Sequence, residues 1–163
     1  MMTSRINLAL TFRDYIPSSY PYFTLFSERH ICVASKKSPL AKKAQLSLSD
    51  IASQPQIIVS PSRDNLRGSV DDLFEKAGLI RNVVISAPCF SVVPGYIETT
   101  DAISFLPSRT LPSRILPSDK LTRLDLIEEP ESFDVIAAWH TRSNKDPLHN
   151  WVTGLLKEEY DYS

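Results

Sequence analysis

Glycine is scarce in this sequence, and its placement excludes several kinds of site. The chain of 163 residues contains four glycines. None belongs to a Gly-x-Gly-x-x-Gly pattern, a phosphate-binding P-loop or a Gly-x-Ser-x-Gly elbow. The local patterns that cradle a nucleotide phosphate or expose a catalytic serine are therefore missing. We expect no cofactor.

Cysteine is equally rare, with two residues, Cys32 and Cys89. Two cysteines cannot build a disulfide framework, and both have apolar neighbours, which is typical of small buried thiols. A reducing cytoplasm fits this composition best. Cys89 also precedes a predicted helix start, where the dipole would favour a thiolate. Because no His or Asn motif accompanies it, a packed thiol is the favoured interpretation.

Histidine gives no sign of a metal site. The three histidines, His30, His140 and His149, stand at no ligand spacing with a cysteine or with one another. We therefore expect no bound metal.

An excess of charge of one sign and long apolar runs are absent as well. Lys and Arg number 18 against 19 for Asp and Glu, a net charge of −1, which gives no long-range attraction for nucleic acid. No apolar run approaches the ~20 residues of a membrane helix, and the N-terminus turns polar too early for a signal peptide. We expect a soluble cytoplasmic protein that enters no membrane and does not itself bind DNA.

The apolar residues that are present predict an α/β domain. They make up 42% of the chain, enough for one sizeable core. Strands that alternate with helices imply crossover connections and a mostly parallel open sheet. The predicted strands cover residues 5–12, 56–60, 82–87, 102–106, 121–126 and 133–140, with two more inside 22–35 separated by a kink near Ser27 and Glu28. The predicted helices cover residues 48–53, 64–77, 89–100 and the segment from 146 onward.

Glycine and proline locate several helix ends. Gly78 stands where a left-handed C-cap belongs. Pro94 is tolerated in the first turn of a helix, so its helix should begin near Phe90 or Ser91, with Ser91 as the N-cap. The last helix should begin at Asp146, an N-cap followed by a first-turn proline.

The apolar residues of the last helix fall on one side. Their spacing predicts a face that packs into the core, formed by Leu148, Trp151, Val152, Leu155 and Leu156. Trp151, like Trp139 near the end of the last strand, is expected to be a core anchor rather than a stacking platform.

The order of several short segments resembles the effector-binding domain of LysR-type transcription regulators. Residues 26–41, Phe-Ser-Glu-Arg-His-Ile-Cys-Val-Ala-Ser-Lys-Lys-Ser-Pro-Leu-Ala, are similar to the passage where that family crosses from one lobe to the other. The further segments are Leu-Ser-Asp-Ile at 48–51, Ile-Ile-Val-Ser at 57–60, residues 66–79 and 87–109, Ala-Trp-His-Thr-Arg at 138–142 and Asp-Pro-Leu-His-Asn-Trp at 146–151. The resemblance spans residues 5 to 158 and rests on the order of many weak motifs.

The resemblance implies a two-lobed, type 2 periplasmic-binding-protein-like fold with a small effector held in the cleft. Lobe one would be a remnant of about residues 1–34 and 120–163, and lobe two would cover about 35–119. Compared with the family, this sequence lacks the N-terminal helix-turn-helix and the first β-α-β-α part of lobe one. DNA would be reached only through that missing module. We expect a homodimer or higher oligomer in which a second chain covers Leu8, Leu10, Trp151 and Leu155.

The candidate ligand-binding residues lie at strand ends and helix starts. A helix N-terminus presents N–H groups that favour a carboxylate, and open α/β sheets bind ligands beyond the carboxyl ends of their strands. Arg63 could add bidentate hydrogen bonds to an acid. Structural roles remain open, because Ser62 and Ser91 could be plain helix caps and Arg63 a solvated side chain. The set comprises Ser60, Ser62, Arg63, Phe90, Ser91 and Val92, with Thr11 and Phe12 added by the resemblance.

These expectations favour a ligand-sensing domain of a bacterial regulator, not an enzyme, that binds a small organic or amino acid. The alternative is a protein interaction or oligomerisation module from a truncated regulator. An enzyme of the same fold, similar to prephenate dehydratase, would need a Thr-Arg-Phe signature. Thr11-Phe12-Arg13 has a different order.

Overall fold

The longest strand, β2 (Tyr22–Ser35), belongs to both of the compact units into which the chain divides. The first unit comprises residues 1–28 and 132–163, and the second comprises residues 29–131. The computed structural model describes residues 6–60, 70–110 and 120–160. That these units correspond to the two lobes, predicted at about 1–34 with 120–163 and about 35–119, stays a prediction.

Strands and helices alternate through much of the described chain. The other strands are β1 (Ala9–Phe12), β3 (Gln56–Val59), β4 (Val83–Ala87), β5 (Ile103–Pro107), β6 (Leu121–Leu124) and β7 (Ser132–Ala138). The α-helices are α1 (Leu48–Ala52), α2 (Asp71–Lys76), α3 (Val93–Thr99) and α4 (Pro147–Tyr160). Short 3₁₀ turns cover Arg13–Tyr15, Pro39–Lys42, Phe90–Val92, Ser108–Thr110 and Thr141–Lys145.

The first unit is built on the pairing of β1 with β7. The two strands run antiparallel, with Ala9 opposite Ala138 and Phe12 opposite Val135. On its other side, β7 neighbours β2. The last three residues of β7, Ile136 to Ala138, are fully buried, so this strand is the centre of the unit.

The second unit has a sheet with a core on each face. Its strand order is β2-β5-β3-β4, and β6 also pairs with β2. Along β2, Cys32 and Ala34 belong to one apolar cluster, whereas Ile31 and Val33 belong to another. Successive side chains of a strand point to opposite faces, so the unbroken apolar run in β2 reflects burial on both sides.

The α/β class is confirmed, but the expectation of a mostly parallel sheet is wrong. β3 runs parallel to β4 and β5. β1 pairs antiparallel with β7, and β2 pairs antiparallel with both β5 and β6. The connection from β3 to β4 contains a helix, α2, as parallel neighbours require. The sheet is therefore mixed.

The largest differences between predicted and observed strand boundaries occur in β1 and β2. β2 is one strand of 14 residues, not two strands with a kink near Ser27 and Glu28. The border between the two units nevertheless falls between Glu28 and Arg29. β1 begins at Ala9 and is shorter than the predicted strand over 5–12.

Two helix ends agree with the sequence and one does not. Gly78 follows α2 with a φ of +69°, the left-handed conformation expected of a C-cap glycine. Asp146 precedes α4, and its Oδ1 accepts a hydrogen bond from the Leu148 N–H at 2.9 Å. Ser91, however, is not an N-cap. It lies inside a 3₁₀ turn that precedes α3, and Cys89 holds the extended backbone conformation before that turn.

The predicted core face of α4 is wrong for the single chain. Leu148, Trp151 and Leu155 are 65%, 61% and 46% exposed, whereas His149 and Thr153 are buried. Thr153 can be buried because its hydroxyl donates within the helix to the carbonyl oxygens of His149 and Asn150. Of the described part of the predicted helix over 64–77, only Asp71–Lys76 is α-helical, and residues 64–69 lie outside the described ranges.

Candidate functional site

The carboxyl ends of β3 and β4 form one edge of the second unit. The strands are parallel, with Val59 opposite Ala87. The N–H of Ser60, the residue after β3, donates to the Ala87 carbonyl oxygen at 3.1 Å, and Ser60 is buried. The segments that follow the two strands therefore leave the sheet side by side, at the edge where open α/β sheets bind ligands.

The segment after β4 presents three of the predicted ligand contacts. Phe90 is half-buried and packs against the cluster that contains Val93 and Ile97. Ser91 and Val92 are exposed. The chain enters α3 through the 3₁₀ turn Phe90–Val92, and Pro94 lies in the first turn of the helix, where its missing N–H is tolerated. The turn places a hydroxyl and an apolar side chain in solvent beside the end of β4.

Cys89 lies next to these residues in the chain, and the prediction that it is buried is wrong. It is exposed, and its Sγ lies 3.2 Å from the Ser91 Oγ. This contact, with smaller contributions from the backbone amides of Val92 and Ser91, lowers the pKa of Cys89 below its usual range. The amides favour the anion without forming a regular side-chain cap. The lowered pKa increases the thiolate fraction at a given pH, and the thiolate is the nucleophilic form.

Cys32 shows the opposite environment. It lies within β2 and is 1% exposed, and burial raises the pKa of its thiol to about 12. The prediction of a packed thiol is confirmed for Cys32 and wrong for Cys89. The apolar neighbours of Cys89 lie beyond a strand end, where they do not enclose it.

The remaining predicted contacts fall elsewhere. Thr11 and Phe12 form the end of β1 in the first unit, and the Phe12 ring makes an edge contact with Phe133 at 4.9 Å. The structure thus places Thr11 and Phe12 at a strand end of the first unit, and it places Ser60 and Phe90–Val92 after two neighbouring strands of the second unit. Ser62 and Arg63 lie outside the described residues.

Arg81 forms a buried network of polar contacts that the sequence did not predict. Its Nη1 lies 2.6 Å from Asp71 Oδ1 and its Nε donates to Gln56 Oε1 at 2.8 Å. The guanidinium also lies over the rings of Phe74 and Phe105, at 5.2 and 5.6 Å from their centroids. These contacts fasten the first turn of α2 to the start of β3.

The histidines have structural contacts. His149 is buried against Trp139, with ring centroids 4.9 Å apart, and His140 Nδ1 accepts a hydrogen bond from the Arg142 N–H. Within residues 6–60, 70–110 and 120–160, no cluster of three His, Cys, Asp or Glu side chains could hold a metal ion. No helix in the same ranges is long and apolar enough to cross a membrane.

Comparison with known sequences identifies regulatory relatives. A family model described as the LysR substrate binding domain matches residues 2–161. The transcriptional activator NagR of a Ralstonia species is 26% identical over 158 residues, which cover 97% of this chain and 52% of NagR. Nodulation protein D 1 of Sinorhizobium fredii is 26% identical over 153 residues, which cover 89% of this chain and 44% of that protein. The chain spans about half the length of the curated relatives it matches.

Solved structures share the fold. HinK, a LysR family transcriptional regulator from Pseudomonas aeruginosa, matches with a TM-score of 0.74 and 26% identity, covering 96% of this chain and 53% of HinK. The regulatory domain of CcmR from Synechocystis PCC6803, in complex with 2-PG, matches with a TM-score of 0.81 and 18% identity. That match covers 96% of this chain and 74% of the CcmR chain.

Proposed function

The chain belongs to the family of LysR substrate-binding domains, and from this premise we propose that it senses a small organic acid or similar effector for a bacterial transcription regulator. The observation that carries the proposal is the family match over residues 2–161, nearly the whole chain. Because the relatives are regulators of transcription, the proposed role is ligand sensing without catalysis. DNA contact, oligomerisation and action in the cytoplasm belong to the proposal for the whole regulator.

Effector contact is proposed at the edge formed by Ser60, Phe90, Ser91 and Val92. Ser91 and Val92 are exposed there, and the backbone amides near Cys89 already favour an anion. A bound carboxylate would be attracted by the same amides, and it would lie beside the Cys89 sulfur. Thr11, Phe12, Ser62 and Arg63 are further proposed contacts on the strength of the family resemblance alone.

A screen of small organic and amino acids, with 2-PG included, tests this function. An effector should raise the melting temperature of the chain and slow alkylation of Cys89, because it occupies the surface next to that thiol. Ser91→Asp places a carboxylate at the edge and should weaken binding by about tenfold or more through like-charge repulsion. Ser132→Asp, which adds the same charge at an exposed serine of the first unit, is the matched control.

The possible outcomes distinguish a failure of the sensing function from a failure of the proposed binding edge. If no acid stabilises the chain, the sensing function is wrong. If an acid binds both aspartate variants with equal affinity, sensing survives and the proposed edge is wrong.

A second candidate function, a protein interaction module, is favoured by one observation. Leu148, Trp151 and Leu155 on α4, together with Leu10 on β1, are all exposed in the single chain. The three residues on α4 share one side of the helix, and an exposed apolar patch of this kind commonly marks an interface. This candidate is tested by measuring the oligomeric state in solution of the unmodified chain and of variants in α4.

A further inference from the structure

The chain crosses the border between its two units twice. The first crossing lies inside β2, between Glu28 and Arg29, and the second lies between Glu131 and Ser132, where β7 begins. Residues 129–131, which lead into the second crossing, belong to no helix or strand. These three residues therefore lack the regular backbone pairing that supports the first crossing, and their side chains contribute more to holding them in place.

Side chains of the second unit fasten the two crossings to each other. Arg29 follows the first crossing and Glu129 precedes the second, and Arg29 Nη1 lies 3.1 Å from Glu129 Oε2. The other carboxylate oxygen, Oε1, accepts a hydrogen bond from Arg123 Nη2 at 2.7 Å. Arg123 belongs to β6, which pairs with β2. Guanidinium groups from two neighbouring strands thus hold both oxygens of Glu129, and we call Arg29, Arg123 and Glu129 the border clamp.

A hydrogen bond in the first unit joins the same two segments on the other side of the border. Ser27 of β2 donates through its Oγ to Asp134 Oδ1 of β7 at 2.7 Å. The Ser27 and Arg29 contacts each join residues at least 100 positions apart in the chain. The border is therefore braced on both sides, by a hydrogen bond from a neutral serine in one unit and by ion pairs in the other.

The border clamp is open to solvent, so dissolved salt reaches it. The side chains of Arg29, Arg123 and Glu129 are 52%, 45% and 44% exposed. Exposed ion pairs are weak singly and are screened by salt, but pairs that share a group form a network that contributes more. Asp125 Oδ1 extends the network, at 3.4 Å from Arg123 Nε. Salt therefore weakens the brace in the second unit more than the Ser27 hydrogen bond in the first.

We propose that the border clamp is a conformational device that limits bending of the chain at the border of the two units and is released by rising ionic strength. While Glu129 holds both arginines, the second crossing moves together with β2. When the ion pairs are screened, residues 129–131 move independently of β2, and bending at the border increases. The clamp acts without an effector. Its tests therefore need none, and a failure of the proposed sensing function leaves their outcome unchanged.

Hydrogen exchange tests the clamp at the second crossing. In Glu129→Gln, the amides of residues 126–131 should exchange about threefold faster than in the unmodified chain, because an uncharged side chain holds the arginines less firmly. The amides of β3, which takes part in neither crossing, should exchange at the unmodified rate. Glu98→Gln is the matched control, because it makes the same chemical change on α3, at an ion pair with Lys120 of 3.5 Å. It should leave exchange at residues 126–131 unchanged.

Distances between two spin labels test bending at the border. One label is attached to Cys89 in the second unit and the other to a cysteine introduced by Lys145→Cys in the first, since both positions are exposed. An excess of unlabelled chain suppresses distances between copies. Raising the salt concentration from about 0.05 M to about 1 M should broaden the distance distribution of the doubly labelled chain. With Glu129→Gln added, the distribution should be broad at both concentrations, and with Glu98→Gln it should keep its response to salt.

Four results would overturn the proposal. Two concern exchange: equal rates at residues 126–131 in Glu129→Gln and Glu98→Gln, or an equal rise in β3, which would indicate general destabilisation of the unit. The other two concern distances: no broadening by salt in the chain that retains Glu129, or the same broadening by salt after Glu129→Gln.

Discussion

At the scale of single residues, the two cysteines are expected to differ in their rates of alkylation. We expect iodoacetamide to alkylate Cys89 readily at neutral pH and to leave Cys32 unmodified while the chain is folded. The Ser91 hydroxyl and nearby amides lower the pKa of Cys89, so more thiolate is present at any given pH. Burial raises the pKa of Cys32 to about 12 and also excludes the reagent. Mass spectrometry of peptides after timed labelling between about pH 6 and pH 9 measures both rates.

The pH dependence of labelling tests what lowers the pKa of Cys89. Its labelling rate should rise with pH, with a midpoint below that of an ordinary thiol, because the pKa is lowered. Ser91→Ala should move this midpoint upward, since the Ser91 contact is the largest cause of the shift. Thr99→Ala, which removes a hydroxyl from the other end of α3, should leave it in place. Labelling of Cys32 at a comparable rate would contradict the burial argument.

At the scale of elements, the contacts of Arg81 hold α2 against β3. We expect Arg81→Met to lower the free energy of unfolding by about 3 kcal/mol, because Asp71 and Gln56 lose a buried partner. Urea unfolding followed by circular dichroism measures the loss. Arg123→Met is the matched control, because its ion pairs with Asp125 and Glu129 are exposed, and it should cost less than about 1 kcal/mol. Equal losses in the two variants would show that the Arg81 contacts add little.

Elements with a strong local signal could be predicted from the sequence. The buried strand β3, the glycine after α2 and the start of α4 depend on nearby residues, and each is confirmed. Strand direction depends on connections across the whole sheet, so the antiparallel pairing of β2 with β5 left no local trace. The spacing of apolar residues in α4 showed which ones share a face but could not show which face packs inward.

The candidate site was predicted only in outline. Chain order placed Ser60 and Ser91 after consecutive strands, and the parallel pairing of β3 with β4 brings those strand ends to one edge. The exposed thiol of Cys89 was missed, because apolar neighbours in sequence resemble a buried setting. Arg81 was missed because its partners, Asp71 and Gln56, are 10 and 25 residues away in the chain. Such distant contacts require the fold to be known.

At the scale of the whole molecule, the exposed side of α4 predicts self-association of this chain. Leu148, Trp151 and Leu155 lie at intervals of three and four residues, so they share one side of the helix, and all three are at least 46% exposed. Burying this surface against a second copy would remove apolar area from water. Such burial is favourable by about 25 cal/mol per Å² of apolar area. We expect a dimer or larger species at micromolar concentration in sedimentation equilibrium, with strong binding of an apolar dye only when the species dissociates.

Two substitutions distinguish association through this side of α4 from a general effect of exposed apolar residues. Trp151→Glu should shift the chain to monomer, because burying the new carboxylate in the interface carries a desolvation penalty. Ile80→Glu is the control, since Ile80 is 91% exposed in the second unit and lies off this helix. It should leave the mass of the assembly unchanged. A monomer with little dye binding in the unmodified chain would contradict association through α4.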